Sequence, residues 1–207
     1  MKKNKKLLVL VALFLAVFAV GGTLAYLTDT TTEKTNTFTF GKVDIDISEP
    51  TWEGHLAADT NYGKKIAPGE SFEKDPTITV KADSKDAYVF MEVTVPTGTV
   101  KGVENTPLFT YAIKDGWVEV EGAGSSAEGT ITKVYAYGNA SQMTKVAAEG
   151  EVVLFNEVTA AKDLKSTEVS ALTGDQNIVV KGYAIQADGL GDTKDPGAVW
   201  TELQNSK

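Results

Sequence analysis

The chain contains no cysteine, no arginine and a single histidine, His55. Without cysteine there are no disulfide staples, thiolate metal sites or thiol nucleophiles. Without arginine, the forked bidentate recognition of phosphate or carboxylate is closed. One histidine removes most routes to a histidine-based zinc centre or a Ser-His-Asp triad, and no HExxH sequence occurs. Basic charge is also short: 20 lysines face 28 Asp and Glu, a net charge of −8. Lys2, Lys3, Lys5 and Lys6 stand together at the N-terminus, so the rest is more acidic still. Such a body repels phosphate backbones, and no nucleic-acid partner is expected.

What is present begins with an address. A basic stretch, residues 1–6, precedes an unbroken apolar run from Leu7 to Val20, then Gly21-Gly22-Thr23-Leu24-Ala25. Thr23 and Ala25 stand at the two small-residue positions a signal peptidase reads. Residues 1–25 are therefore predicted to be a signal peptide, with Tyr26 as the new N-terminus. The run is shorter than the roughly 20 apolar residues of a membrane span. The membrane is expected to be met only through this leader, before cleavage, and the product to be secreted. No LPxTG-like motif or second hydrophobic segment stands near Lys207. An accessory protein is thus a candidate partner for holding the product at the surface.

The body reads as all-β. Ala87, Val89, Met91, Val93 and Val95 alternate with Tyr88, Phe90, Glu92 and Thr94, and Pro96-Thr97-Gly98 marks the end of that strand. Ile78 and Val80 predict a shorter strand, joined to it as a hairpin through Asp83-Ser84-Lys85-Asp86. Phe38, Phe40, Val43, Ile45 and Ile47 change parity at Gly41-Lys42, where a bulge would restore one buried face. Further strands are expected over residues 109–113, 117–120, 130–137, 151–158 and 177–187. Helix is expected over 160–166, capped by Thr159, over 198–203, and as a turn near 141–147. Residues 48–67 read as a long surface loop. Eight or nine short strands with one or two short helices predict a jelly-roll-like antiparallel β-sandwich over residues 37–207.

Little chemistry stands out. His55 lies in a polar stretch with no partner ligand at zinc spacing. Asp188, Asp192 and Asp195 put three carboxylates in a Gly-containing loop and are the candidate calcium ligands. Their spacing is not that of an EF-hand, and Lys194 adds a repelling charge. Asp44, Asp46 and Glu49 are explained by a solvated outer strand face. No catalytic residue and no obligatory cofactor is predicted.

Three stretches carry a resemblance. The first is Gly21-Gly22-Thr23-Leu24-Ala25-Tyr26 followed by Phe38-Thr39-Phe40-Gly41-Lys42-Val43-Asp44-Ile45. The second is Ile66-Ala67-Pro68-Gly69-Glu70 with the strands after it, and the third is residues 179–188, VVKGYAIQAD. Together they resemble the TasA/camelysin family, which is exported with a SipW-type signal peptidase. The middle, residues 98–175, matches weakly. The resemblance implies a jelly-roll-like sandwich, a cell-surface or biofilm-matrix location and, for some members, assembly into fibres. Camelysin-type members are described as surface metalloproteases, an activity for which this sequence offers no catalytic constellation.

Cleavage would free residues 26–36, a polar, threonine-rich segment without Pro or Gly. Tyr26, Leu27, Thr28, Thr30 and Thr32 would let it extend along a sheet edge of the next copy. A contact of that kind does not close on itself and so builds a filament. The expected partners are therefore the signal peptidase and further copies of the chain. The alternatives are a monomeric surface binding module and a camelysin-like metalloprotease.

Overall fold

The computed structural model describes residues 42–190 and 194–206, which form thirteen strands and three helices. The central strand is the one whose alternation is clearest in the sequence, β4 (Ala87–Val100). It lies antiparallel between β9 (Thr130–Asn139) and β13 (Val179–Gln186). The far side of β9 is covered piecewise by β8 (Ser125–Ala127), β7 (Trp117–Glu119) and β10 (Gln142–Met143). Past the end of β13, β4 pairs with β5 (Val103–Pro107). These strands make one layer.

The second layer is built from two three-stranded sheets. One runs β1 (Ile45–Ser48), β3 (Thr77–Val80), β11 (Glu151–Val153); the other runs β2 (Ser71–Glu73), β12 (Glu157–Ala160), β6 (Phe109–Tyr111). They are halves of a single ladder. Glu73 pairs with Glu157 and Thr77 with Val153 in one unbroken register. Across the gap, Lys74 N–H donates to Asn156 O and Leu154 N–H to Pro76 O, both at 3.0 Å.

The layers enclose a core of Ile78, Val80, Phe72 and Val158 from one side and Val89, Met91, Val93 and Val95 from the other. Two polar ties cross it. Trp117 Nε1 donates to Val153 O at 2.9 Å, and the Tyr111 and Tyr135 hydroxyls meet at 2.9 Å. Burial pushes both phenols above their ordinary pKa, so they stay protonated. The other face of β4 is also buried. Tyr88 and Phe90 pack with Val199 and Leu203 of helix α3 (Pro196–Asn205). That is why the first half of β4 reads as apolar on both parities, whereas Glu92 and Thr94 further along the same face are only half-buried.

Pro96, inside β4, and Pro76, in the gap between β2 and β3, are accommodated in the same way. Pro96 cannot donate to Leu108, whose carbonyl instead accepts from Ala161 N–H at 2.8 Å. Pro76 cannot donate to Leu154, whose carbonyl instead accepts from Lys114 N–H at 2.8 Å. In both cases a third segment supplies the donor that proline lacks. So β4 does not end at Pro96, as expected from the sequence, but continues to Val100.

Other expectations are also corrected. β3 and β4 are not a hairpin: β3 pairs with β1 and β11, and residues 81–86 cross between the layers. Both strands need the inner face, which a flat hairpin would give only side by side. The stretch 160–166 is not helical, because Ala160 and Ala161 N–H are bonded to Glu70 O and Leu108 O. Helix α2 (Ser166–Ala171) starts later, with Glu168 accepting from Lys165 N–H at 2.8 Å. The stretch 141–147 is extended: Val146 exchanges backbone bonds with Ala87. Residues 151–158 make two strands, broken at Leu154–Asn156 opposite Pro76. The 48–67 loop contains helix α1 (Pro50–Ala58). Pro50 suits its first turn, but its cap comes from afar: Asp75 accepts from Thr51 N–H at 2.9 Å and Trp52 N–H at 3.3 Å.

Candidate strand-docking edge and the adjoining cleft

Ala187 N–H donates to Asp86 O at 2.9 Å, which fixes the phase of the β13–β4 ladder. Residues 179, 181, 183 and 185 then bond towards β4. Val180, Gly182, Ala184 and Gln186 turn their N–H and C=O groups to the opposite side. Among the described residues no strand pairs with that side. The strand is eight residues long and contains no proline. Its one lysine, Lys181, is tied at 3.3 Å to Glu92 of β4.

The edge is flanked by β1, which lies close to β13 and whose own outer side has no strand partner among the described residues. Gly182 allows the approach. A Cβ there would lie 3.2 Å from Ile78 Cδ1 and 3.5 Å from Ile45 Cδ1. The two layers thus present open edges on one side of the sandwich.

A cleft of about 310 Å³ sits where β1 ends and β13 begins, between Glu49 and Ile178. Glu49, Trp52, Phe72 and Lys74 of its lining belong to an aromatic and ionic cluster that sequence reading missed. Lys74, 7% exposed, places Nζ 2.6 Å from Glu49 Oε1 and 5.2 Å from the centroid of the Trp52 ring. Trp52 packs edge-on to Tyr62 at 5.0 Å, and Tyr62 to Phe72 at 5.6 Å. His55 stacks on Tyr62 at 4.6 Å, and its Nε2 is 2.6 Å from Glu73 Oε2. Helix α1 therefore clamps onto β2 through side chains 7 to 25 positions apart, most of them beyond the reach of a local pattern.

The predicted site residues fare unequally. Thr23, Ala25, Tyr26, Leu27, Thr28, Thr30 and Thr32 lie outside the described residues, as do Phe38, Phe40, the Gly41 side of the expected bulge, and Asp192. Asp188 is bonded to Lys145 Nζ at 2.7 Å, and that ammonium holds its carboxyl below the usual carboxylate range. Asp195 caps α3 by accepting from Ala198 N–H at 2.9 Å. The two of the three candidate calcium ligands that are described are thus engaged by the chain itself, and no group of three metal-ligating side chains occurs among the described residues. Asp44 stands between Lys42 and Lys81 on the solvent side, as expected, with its pKa lowered by both. Glu49 departs from that cluster and turns inward to Lys74.

Chemically, the arrangement offers a backbone template and a partly apolar cleft. Compared with family models, curated proteins and solved structures, the chain finds no match.

Proposed function

We propose that the chain is an exported structural subunit of the cell surface or extracellular matrix. Its leader is removed after Ala25, and residues 26–36 of one copy then add as a strand to the outer edge of β13 in the next. The reading is supported chiefly by that edge: four residues whose backbone donors and acceptors have no strand partner among the described residues. A segment paired along them would satisfy up to four N–H and four C=O groups. The donor has the right composition, being rich in threonine and free of proline. The resemblance to the TasA/camelysin family, some members of which assemble into fibres, points the same way, through the N-terminal run and the 179–188 stretch.

The order of events follows from the chain. While the leader is attached, the donor segment is held at the membrane; cleavage releases it, so processing controls assembly. The contact is head-to-tail, so each added copy presents a fresh β13 edge. The partners are the signal peptidase, further copies of the chain and an accessory protein at the surface. No metal or cofactor is needed.

The test is assembly of the chain beginning at Tyr26, followed by negative-stain imaging and sedimentation over a range of concentrations. Filaments that depend on concentration are expected. Deleting residues 26–36 should leave a folded monomer. Filaments formed equally well without that segment would overturn the mechanism, and a stable monomer at all concentrations would favour a binding module.

A further inference from the structure

Lys74 is the only buried charged residue among the described residues. Taking an ammonium out of water is costly, and a surface β-sandwich gains nothing from it unless the group is paired or used. Its amine contacts both carboxylate oxygens of Glu49, in a cleft whose apolar walls include Trp52, Phe72, Phe109 and Ile178. The same cleft is lined by Asn177, whose carboxamide has no hydrogen-bond partner among the described residues. The neighbouring amide, Gln176, is already committed, with Nε2 donating to the carbonyls of Thr173 and Gly174.

An amine, a carboxylate touching it and an unengaged carboxamide thus share one cleft of mixed polarity. Lys74 follows β2 in one layer; Asn177 precedes β13 in the other. We propose that Lys74 Nζ and Asn177 Cγ become joined in an intramolecular isopeptide bond, with Glu49 carrying the protons. This inference is independent of the assembly reading.

The chemistry balances without a co-reactant. Glu49 takes a proton from the Lys74 ammonium and frees its lone pair. Asn177, at the exposed rim of the cleft, turns its side chain inward, and Nζ attacks Cγ to form the new C–N bond. Glu49 passes its proton to Asn177 Nδ2, the Cγ–Nδ2 bond breaks, and ammonia leaves through the open rim. The second proton lost from Nζ leaves with it as ammonium, so Glu49 ends as the carboxylate it began. Nothing is oxidised or reduced. The bond clamps the two layers beside the open edge, a role disulfides cannot fill in a chain without cysteine.

Intact-mass spectrometry of the purified, then denatured, chain tests this, followed by digestion at lysine and fragment sequencing. The expected mass falls short of the sequence mass by one ammonia, and a branched peptide joins Lys74 to Asn177. Asn177→Ala, at an exposed position, should stay folded, regain linear peptides and melt at a lower temperature. Glu49→Gln should likewise leave Lys74 unlinked. Three results would overturn the proposal: wild type at full sequence mass, ammonia loss without a branched peptide, or a branch from Lys74 to another residue.

Discussion

The two edges of the large layer are treated in opposite ways. Beyond β9, three short strands close the ladder in succession, and Gly138, at φ +150°, lets β10 cross tightly over it. Trp117 then bolts this side to the second layer through Val153. On the outer side of β13, by contrast, four of its eight residues turn their backbone groups to a side with no strand partner among the described residues. Edge strands invite pairing, and proteins usually blunt them with short strands, bulges, prolines or free lysines. The β9 side uses such devices. The β13 side uses none: it is long, has no proline, and its lysine is neutralised by Glu92. The asymmetry is what turns an ordinary sandwich into a candidate building block.

The comparison breaks first on the closed side. Trp117→Ala removes a side chain that is 7% exposed and its cross-layer hydrogen bond. It should cost about 3–5 kcal/mol in urea unfolding, whereas Trp117→Phe should cost about 1–3 kcal/mol by leaving Val153 O without its donor. Next comes Gly138→Ala. Its Cβ would lie 2.4 Å from Gln142 O and 2.6 Å from Met143 Cα, so backbone must move. A loss of about 2–4 kcal/mol is expected, with amide exchange quickening first in β10.

On the open side the stability effects shrink while the assembly effects grow. Ala184→Pro deletes a donor that faces away from β4, so unfolding should shift by about 1 kcal/mol or less. Filament formation should nevertheless fail. Wild-type filaments from that variant would show that β13 is not the accepting edge.

The smallest expected effect concerns the turn after β4. Glu168 accepts from Lys165, Gly102 and, at 3.3 Å, Lys101 backbone N–H groups, and these bonds hold its pKa below the ordinary carboxylate value. A depressed folded pKa stabilises above the unfolded value and is lost as pH falls through the folded one. Amide exchange at Lys101 and Gly102, corrected for the intrinsic rate, should therefore speed up below the ordinary carboxylate range. Glu168→Gln should show that faster exchange already at neutral pH.

Much of the fold was legible where the chain speaks locally. The Ala87–Val95 alternation, the 109–111, 117–119 and 130–137 strands and the Pro196 helix follow from side-chain period and from caps a few residues away. The failures share a cause. Helix α1 is capped by Asp75, and Pro76 and Pro96 are tolerated because Lys114 and Ala161 supply donors from distant segments. Glu49 looked like one more acid on a solvated face until β2 brought Lys74 beneath it. The open edge was equally hidden, since a strand's period says which face it buries but not which neighbours it will have.

Composition and short-range order thus determined, unaided, that this is a disulfide-free, acidic, pleated body behind an apolar N-terminal run. Those properties are sums over residues or reach only a few positions along the chain. Tertiary structure alone decided that β4 lies between two cores, that Lys74 is buried against Glu49, and that β13 stands at a boundary. Each of these depends on which distant backbone groups find one another, and hydrogen-bond partners across a sheet are settled only when the whole ladder closes.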